Sequence, residues 1–119
     1  MLKLSKTNTV TRAVTVRIGT DDPKVFNEGT IQVRFNVLSK NEIVELAERG
    51  TADHDYARRV VADVSGLGDE QGQPISGEAA LSEVLDGRWS AYLQRAILDD
   101  FFDHFGDARV KNLRPLRGR

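Results

Sequence analysis

The chain has 119 residues, 39% of them apolar and 29% charged, which allows one modest core under a well-solvated surface and leaves no room for a two-domain cofactor enzyme. With no cysteine, disulfides, thiolate metal sites, thiol nucleophiles and iron–sulfur ligation are excluded, and a reducing compartment fits. A net charge of −1 hides an uneven spread: residues 1–34 carry six basic against three acidic side chains, residues 35–108 six against fifteen, and residues 109–119 five against none.

No apolar run reaches the roughly 18 residues that span a bilayer. The opening Met-Leu-Lys-Leu-Ser-Lys-Thr-Asn-Thr lacks the apolar stretch and cleavage site of a secretory signal. A soluble cytoplasmic protein is expected.

From Thr9 to Ile18, Val14, Val16 and Ile18 share one face of an extended chain, and from Thr30 to Val37 so do Ile31, Val33, Phe35 and Val37. Both segments are predicted strands, joined by a long connection over Gly19–Gly29. Two strands are not stable alone in water, so helices or another chain must cover their apolar face. Leu38-Ser39-Lys40-Asn41-Glu42-Ile43 predicts a helix start, with Ser39 and Glu42 as a capping box and Leu38 stapled onto Ile43. This helix stops at Gly50.

A second helix is predicted from Thr51 or Asp53 to Val64, with Tyr56, Val60 and Val64 on one stripe. Residues 65–77 hold four glycines and a proline and read as an extended loop with a turn near Asp69–Gly72. Ser76 offers an N-cap for a third helix through Leu85. The fourth, from near Arg88 to before Gly106, places Trp89, Leu93, Ala96, Ile97 and Phe101 on one stripe, broadened by Tyr92, Leu98, Phe102 and Phe105. A helix apolar around so much of its girth is either the centre of the core or half of an interface. The fold class is therefore α+β. A β-hairpin region (1–38), a four-helix region (39–106) and a basic tail (107–119) make up a single compact domain.

Chemistry is sparsely supported. His54 and His104 lie in no nucleophile elbow. Asp100 and His104 stand at i, i+4 with Asp99 and Asp103 nearby, yet no further donor completes a metal site, and a hydrolase built on this pair is a remote reading. Gly66–Gly72 lacks the spacing of a phosphate loop, and Pro74 falls where a calcium loop needs glycine. No cofactor, metal or catalytic residue is expected. The tail basics Arg109, Lys111, Arg114, Arg117 and Arg119 support an alternative, a small nucleic-acid-associated regulator. Against it stand the absence of a stacking aromatic in the tail and the acidic middle of the chain. Pairing of tail and acidic segment would instead favour self-association.

The order of elements resembles the tail assembly chaperones of long-tailed bacteriophages over roughly residues 29–112. Gly29-Thr30-Ile31-Gln32-Val33-Arg34-Phe35 leading into Leu38–Ile43 looks like that family's strand running into a capped acidic helix. Val60–Leu67 and Asp69–Ser76 are similar to its helix, turn and next N-cap. Ala80–Asp86 and Leu93–Phe102 are similar to its last two helices. The resemblance implies a non-enzymatic helper of the host bacterial cytoplasm, absent from the mature virion, whose partners are the tape-measure and tail-tube proteins. Candidate protein-binding residues are Tyr92, Phe101, Phe102 and Phe105, with Arg109 and Lys111. Filling of the core is an equally open role for the aromatics.

Overall fold

In the computed structural model, which describes residues 1–105, the alternating N-terminal segments pair as strands β1 (Thr9–Gly19) and β2 (Phe26–Asn36), antiparallel along their whole lengths. Valine, isoleucine and phenylalanine on one face drive this pairing: Val14, Val16, Ile31, Val33 and Phe35 are all buried, while Thr11, Ala13, Thr15, Gln32 and Arg34 face solvent.

The connection is shorter than its composition suggests, because β2 starts at Phe26 and only residues 20–25 turn the chain. Asp22 tightens that turn, its Oδ1 accepting from Lys24 N at 2.9 Å and its backbone oxygen from Val25 N at 3.0 Å. Thr20 Oγ1 donates to the Val25 carbonyl at 2.7 Å. The extension from Phe26 to Thr30 is held on the outer face by Arg17, whose guanidinium lies 4.1 Å from the Phe26 ring centre and 3.6 Å from Glu28 Oε2.

Helix α1 (Lys40–Glu48) begins as its local signature requires. Ser39 Oγ accepts from Glu42 N at 3.2 Å, and Ser39 N donates to Glu42 Oε1 at 3.0 Å. Leu38 and Ile43 both join the core.

Helix α2 (Asp53–Val60) is shorter than expected. Val61 leaves it to open strand β3 (Val61–Ser65), which pairs antiparallel with β2 and makes the sheet three-stranded, in the order β1-β2-β3. The exposed backbone of β2 supplies a ladder that a longer helix would leave unsatisfied, and the β-branched residues of Val60-Val61-Ala62-Asp63-Val64 suit a strand. A register shift between Arg34 and Phe35 sets Val61 opposite Phe35 and Val64 opposite Val33. Both valines are thereby buried, although three positions apart. At Gly66 the backbone takes φ +95°, and a Cβ there would lie 3.2 Å from Ile31 Cα, so only glycine lets the chain leave the sheet this closely.

A small hairpin follows, β4 (Leu67–Gly68) with β5 (Pro74–Ile75). It is closed by Asp69, whose Oδ1 accepts from Gln71 N and Gln73 N, each at 2.9 Å. Helix α3 (Gly77–Asp86) has Ser76 at its N-cap position, without the side-chain bond expected there. Its far end is satisfied by a residue of the last helix, α4 (Ser90–His104). Buried Gln94 donates to the carbonyls of Val84 and Leu85 at 3.0 and 3.2 Å.

The helical layer packs on the apolar side of the sheet, with α4 running along β1 and touching α2 and α3. Phe35, Tyr56, Ile97, Leu98, Phe101 and Phe102 are the largest enclosed side chains. Among the described residues the result is an α+β domain with four helices, a three-stranded sheet and the small two-stranded one, the third strand of the larger sheet drawn from the segment that follows α2.

The capping box predicts a pH signature. Glu42 is held below its ordinary value of 4.5, chiefly by the hydrogen bond from the Ser39 backbone, with the Ser39 hydroxyl and Arg59 adding to it. A depressed carboxylate stabilises fully above its unfolded value and loses that contribution as pH falls through the folded one. In urea denaturation at stepped pH, Glu42→Gln should therefore flatten the stability loss below pH 4.5; an unchanged slope would count against the box.

Tyr56 predicts the opposite limb. Burial, with the Asp53 charge second, pushes its phenol from 10.0 up to about 12, and its hydroxyl finds no hydrogen-bond partner among the described residues. Stability tied to the neutral phenol is present below pH 10 and is lost as pH rises toward 12. Tyr56→Phe should match the parent within about 1 kcal/mol at neutral pH and outlast it in alkaline denaturation.

Candidate functional site

The aromatic residues expected to meet a partner are separated by the fold. Phe101 and Phe102 are 0% and 2% exposed. Phe101 packs on Phe35 with ring centres 5.7 Å apart, and Phe102 meets Tyr56 edge-on at 5.2 Å. Phe105 is half-buried, 5.6 Å from Phe35 and 5.3 Å from Phe101. Phe101 and Phe102 are core residues, Phe101 against the inner face of the sheet and Phe102 against α2. Arg109 and Lys111 lie outside the described residues.

Tyr92 alone keeps a substantial exposed surface, 39%, and it does so beside Trp89, 46% exposed, at a ring distance of 6.0 Å. The stripe reading set Trp89 on one helical face with Leu93, Ala96, Ile97 and Phe101. Instead it is the N-cap residue of α4, with φ −98° and ψ 12°, so its side chain leaves before the helical stripe begins.

The Tyr92 hydroxyl lies 3.3 Å from where a Cβ on Gly19 would stand. Glycine at the end of β1 is what lets the ring settle so close to the strand. Gly19 pairs with Phe26, itself 46% exposed, and Val25 precedes it in the turn. The start of α4 thus sets exposed Trp89 and Tyr92 beside the end of β1, while exposed Phe26 and Val25 stand at the hairpin turn that follows it, Phe26 on the outer face under Arg17.

Two clefts adjoin this end and share Gly68. One, of about 580 Å³, is bounded by Trp89 and Ile75 and carries Glu70, Glu83 and Arg88 on its walls. The other, of about 240 Å³, runs between the hairpin and β4, lined by Val16, Ile18, Ile31, Leu67 and Leu93. The first is mainly polar, with Asp69, Glu70 and Glu83 outnumbering Arg88, and the second mainly apolar, so an apolar hollow and a charged one stand side by side, as in a polypeptide contact with a polar rim. Phe26 and Val25 escaped the sequence reading because Asn27 and Gly29 make that stretch look like loop; the cue was that Gly19 needs a cross-strand partner.

Asp100 and His104, the pair weighed as metal ligands, are joined by a cation from the protein itself. Arg12 Nε donates to Asp100 Oδ2 at 2.7 Å, and Arg12 Nη2 lies 2.8 Å from His104 Nε2. His104 Nδ1 lies 2.9 Å from the Asp100 carbonyl. The neutral imidazole with its proton on Nδ1 satisfies all of these bonds, donating to the carbonyl and accepting from Arg12. The group clamps the end of α4 onto β1. Among the described residues no cluster of three or more metal-ligating side chains occurs, and no helix is long and apolar enough to cross a membrane.

No protein-family model, curated protein or solved structure matches the chain.

Breaking the clamp should loosen α4. Arg12→Ala leaves the partly buried Asp100 carboxylate, 16% exposed, without its cation and should cost about 1–2 kcal/mol in chemical denaturation. A variant as stable as the parent would show that the clamp contributes nothing.

Proposed function

We propose that the protein is a tail assembly chaperone of a long-tailed bacteriophage, a non-enzymatic partner-binding domain that keeps the tape-measure polypeptide soluble and brings tail-tube subunits to it. It acts in the host cytoplasm and is left behind when the virion is complete. The observation that carries the reading is the aromatic end of the domain. Trp89 and Tyr92 at the start of α4, with Phe26 and Val25 at the hairpin turn, stay exposed although the core is closed, and exposed aromatics on a folded domain are what a client-holding surface requires.

The order of strand, capped acidic helix and paired C-terminal helices supports the same assignment. The contact surface differs from the one expected at the outset. Phe101 and Phe102 serve the fold, and the holding surface is the end where α4 begins, with acidic side chains nearby to keep the complex dissolved.

Co-expression with a bacteriophage tape-measure protein tests the proposal. The parent should keep the client in the soluble fraction and co-purify with it. Trp89→Ala combined with Tyr92→Ala, with helical content unchanged by circular dichroism, should weaken the complex by tenfold or more, as expected for loss of about 2 kcal/mol of anchoring aromatic contact. A client equally insoluble with and without the chain would overturn it, and retention on DNA at low salt in place of client binding would favour the regulator reading.

A further inference from the structure

The connection between α1 and α2 folds into a separate cleft of about 660 Å³ that shares no lining residue with those beside Trp89. Its apolar lining includes Leu46, from the buried side of α1, and Ala52, which precedes α2. Around it stand Arg49, Arg58 and Arg59.

Charge distribution makes this place unusual. Residues 35–108 contain six basic side chains against fifteen acidic ones, and three of those six meet at this one cleft. Arg59 is engaged, donating to Glu42 Oε2 at 2.6 Å. The lone acid of the lining, Asp55, has its Oδ1 3.2 Å from His54 Nδ1. Arg49 and Arg58, both exposed, have no carboxylate within salt-bridge distance among the described residues. Two guanidinium groups thus flank an apolar hollow in an otherwise acidic stretch.

We propose that this cleft docks a short acidic segment of a partner polypeptide, one apolar side chain entering beside Leu46 while flanking carboxylates meet Arg49 and Arg58. Guanidinium groups bind carboxylates through paired N–H donors, and an apolar side chain seated between them shields those bonds from water. A nucleic acid fits less well, since an extended polyanion must also pass the surrounding acids and has no aliphatic group for the hollow. A short peptide meets only the cleft. This second surface is independent of the aromatic end, so the domain is able to hold two partner segments of different chemistry at once.

The test uses the full chain and a fluorescein-labelled hexapeptide, Glu-Leu-Glu-Glu-Leu-Glu, followed by anisotropy at low salt. Saturable binding is expected, weakening as salt rises. Arg49→Glu combined with Arg58→Glu should weaken it by roughly tenfold or more, while Arg34→Glu combined with Arg95→Glu, the same charge change at other exposed positions, should leave it nearly intact. Arg49→Ala with Arg58→Ala serves the same purpose if charge reversal disturbs folding. No binding at millimolar peptide, equal binding of a Lys-Leu-Lys-Lys-Leu-Lys peptide, equal losses in the two double variants, or tighter binding of an oligothymidylate at this cleft would each overturn the proposal.

Discussion

One constraint governs the whole molecule: a three-stranded sheet has a single apolar face, and the chain must supply its cover from helices that come later. Phe35 stands at the centre of that face. It pairs with Val10 on one side and, across the register shift, with Val61 on the other. The Phe101 and Phe105 rings close over it. Burying each large apolar side chain is worth about 1.5–3 kcal/mol, and an aromatic pair adds roughly 0.5–1.5 kcal/mol. This is why α4 is apolar over so much of its girth. Phe101 and Phe102 are committed to the sheet, to Tyr56 of α2 and to one another.

Where physical causes are local, residues alone were enough to reveal them. The start of α1 is a matter of four consecutive positions, Ser39 to Glu42, and nothing distant competes with their mutual bonds. The alternation of β1 and the core of β2 is equally self-contained. The end of α2 is not, because Val60 and Val64 sit at helical spacing and only the open ladder of β2 decides that Val61 turns into a strand. The register shift disguised that strand further, placing two inward valines three positions apart where simple alternation would put them two apart. The early start of β2 was hidden in the same manner: Asn27 and Gly29 favour turns, and the partner that holds them extended, β1, lies across a connection whose length composition does not reveal.

The candidate site was legible only in part. Tyr92 was found, but the periodicity of α4 names every apolar position without saying which of them meets solvent. Phe101 and Phe102 look the same in that pattern as Tyr92, and the distinction arises from the sheet lying on one side of the helix. Trp89 was assigned to the stripe because it is at the right spacing from Leu93, yet it sits at the cap, where the backbone has not become helical. The meeting of Arg49 with Arg58 was not foreseen, for a related reason. Nine positions apart, Arg49 at the C-cap of α1 and Arg58 on α2 line one cleft only when the short connection between the helices folds back.

The course of α4 along β1 bears on a hazard common to proteins with open sheets. Tyr92 lies beside Gly19 at one end, and Asp100 and His104 hold Arg12 at the other, so the helix follows this edge strand in the reverse direction for most of its length. Were another molecule to continue the sheet antiparallel from β1, neighbouring strands would stand about 4.8 Å apart, whereas two packed helices require roughly 8–10 Å between axes. The two copies of α4 would collide before the strands could bond. Among the described residues the longest unpaired strand edge is thus guarded against fibrous growth by a helix whose first duty is to roof the core.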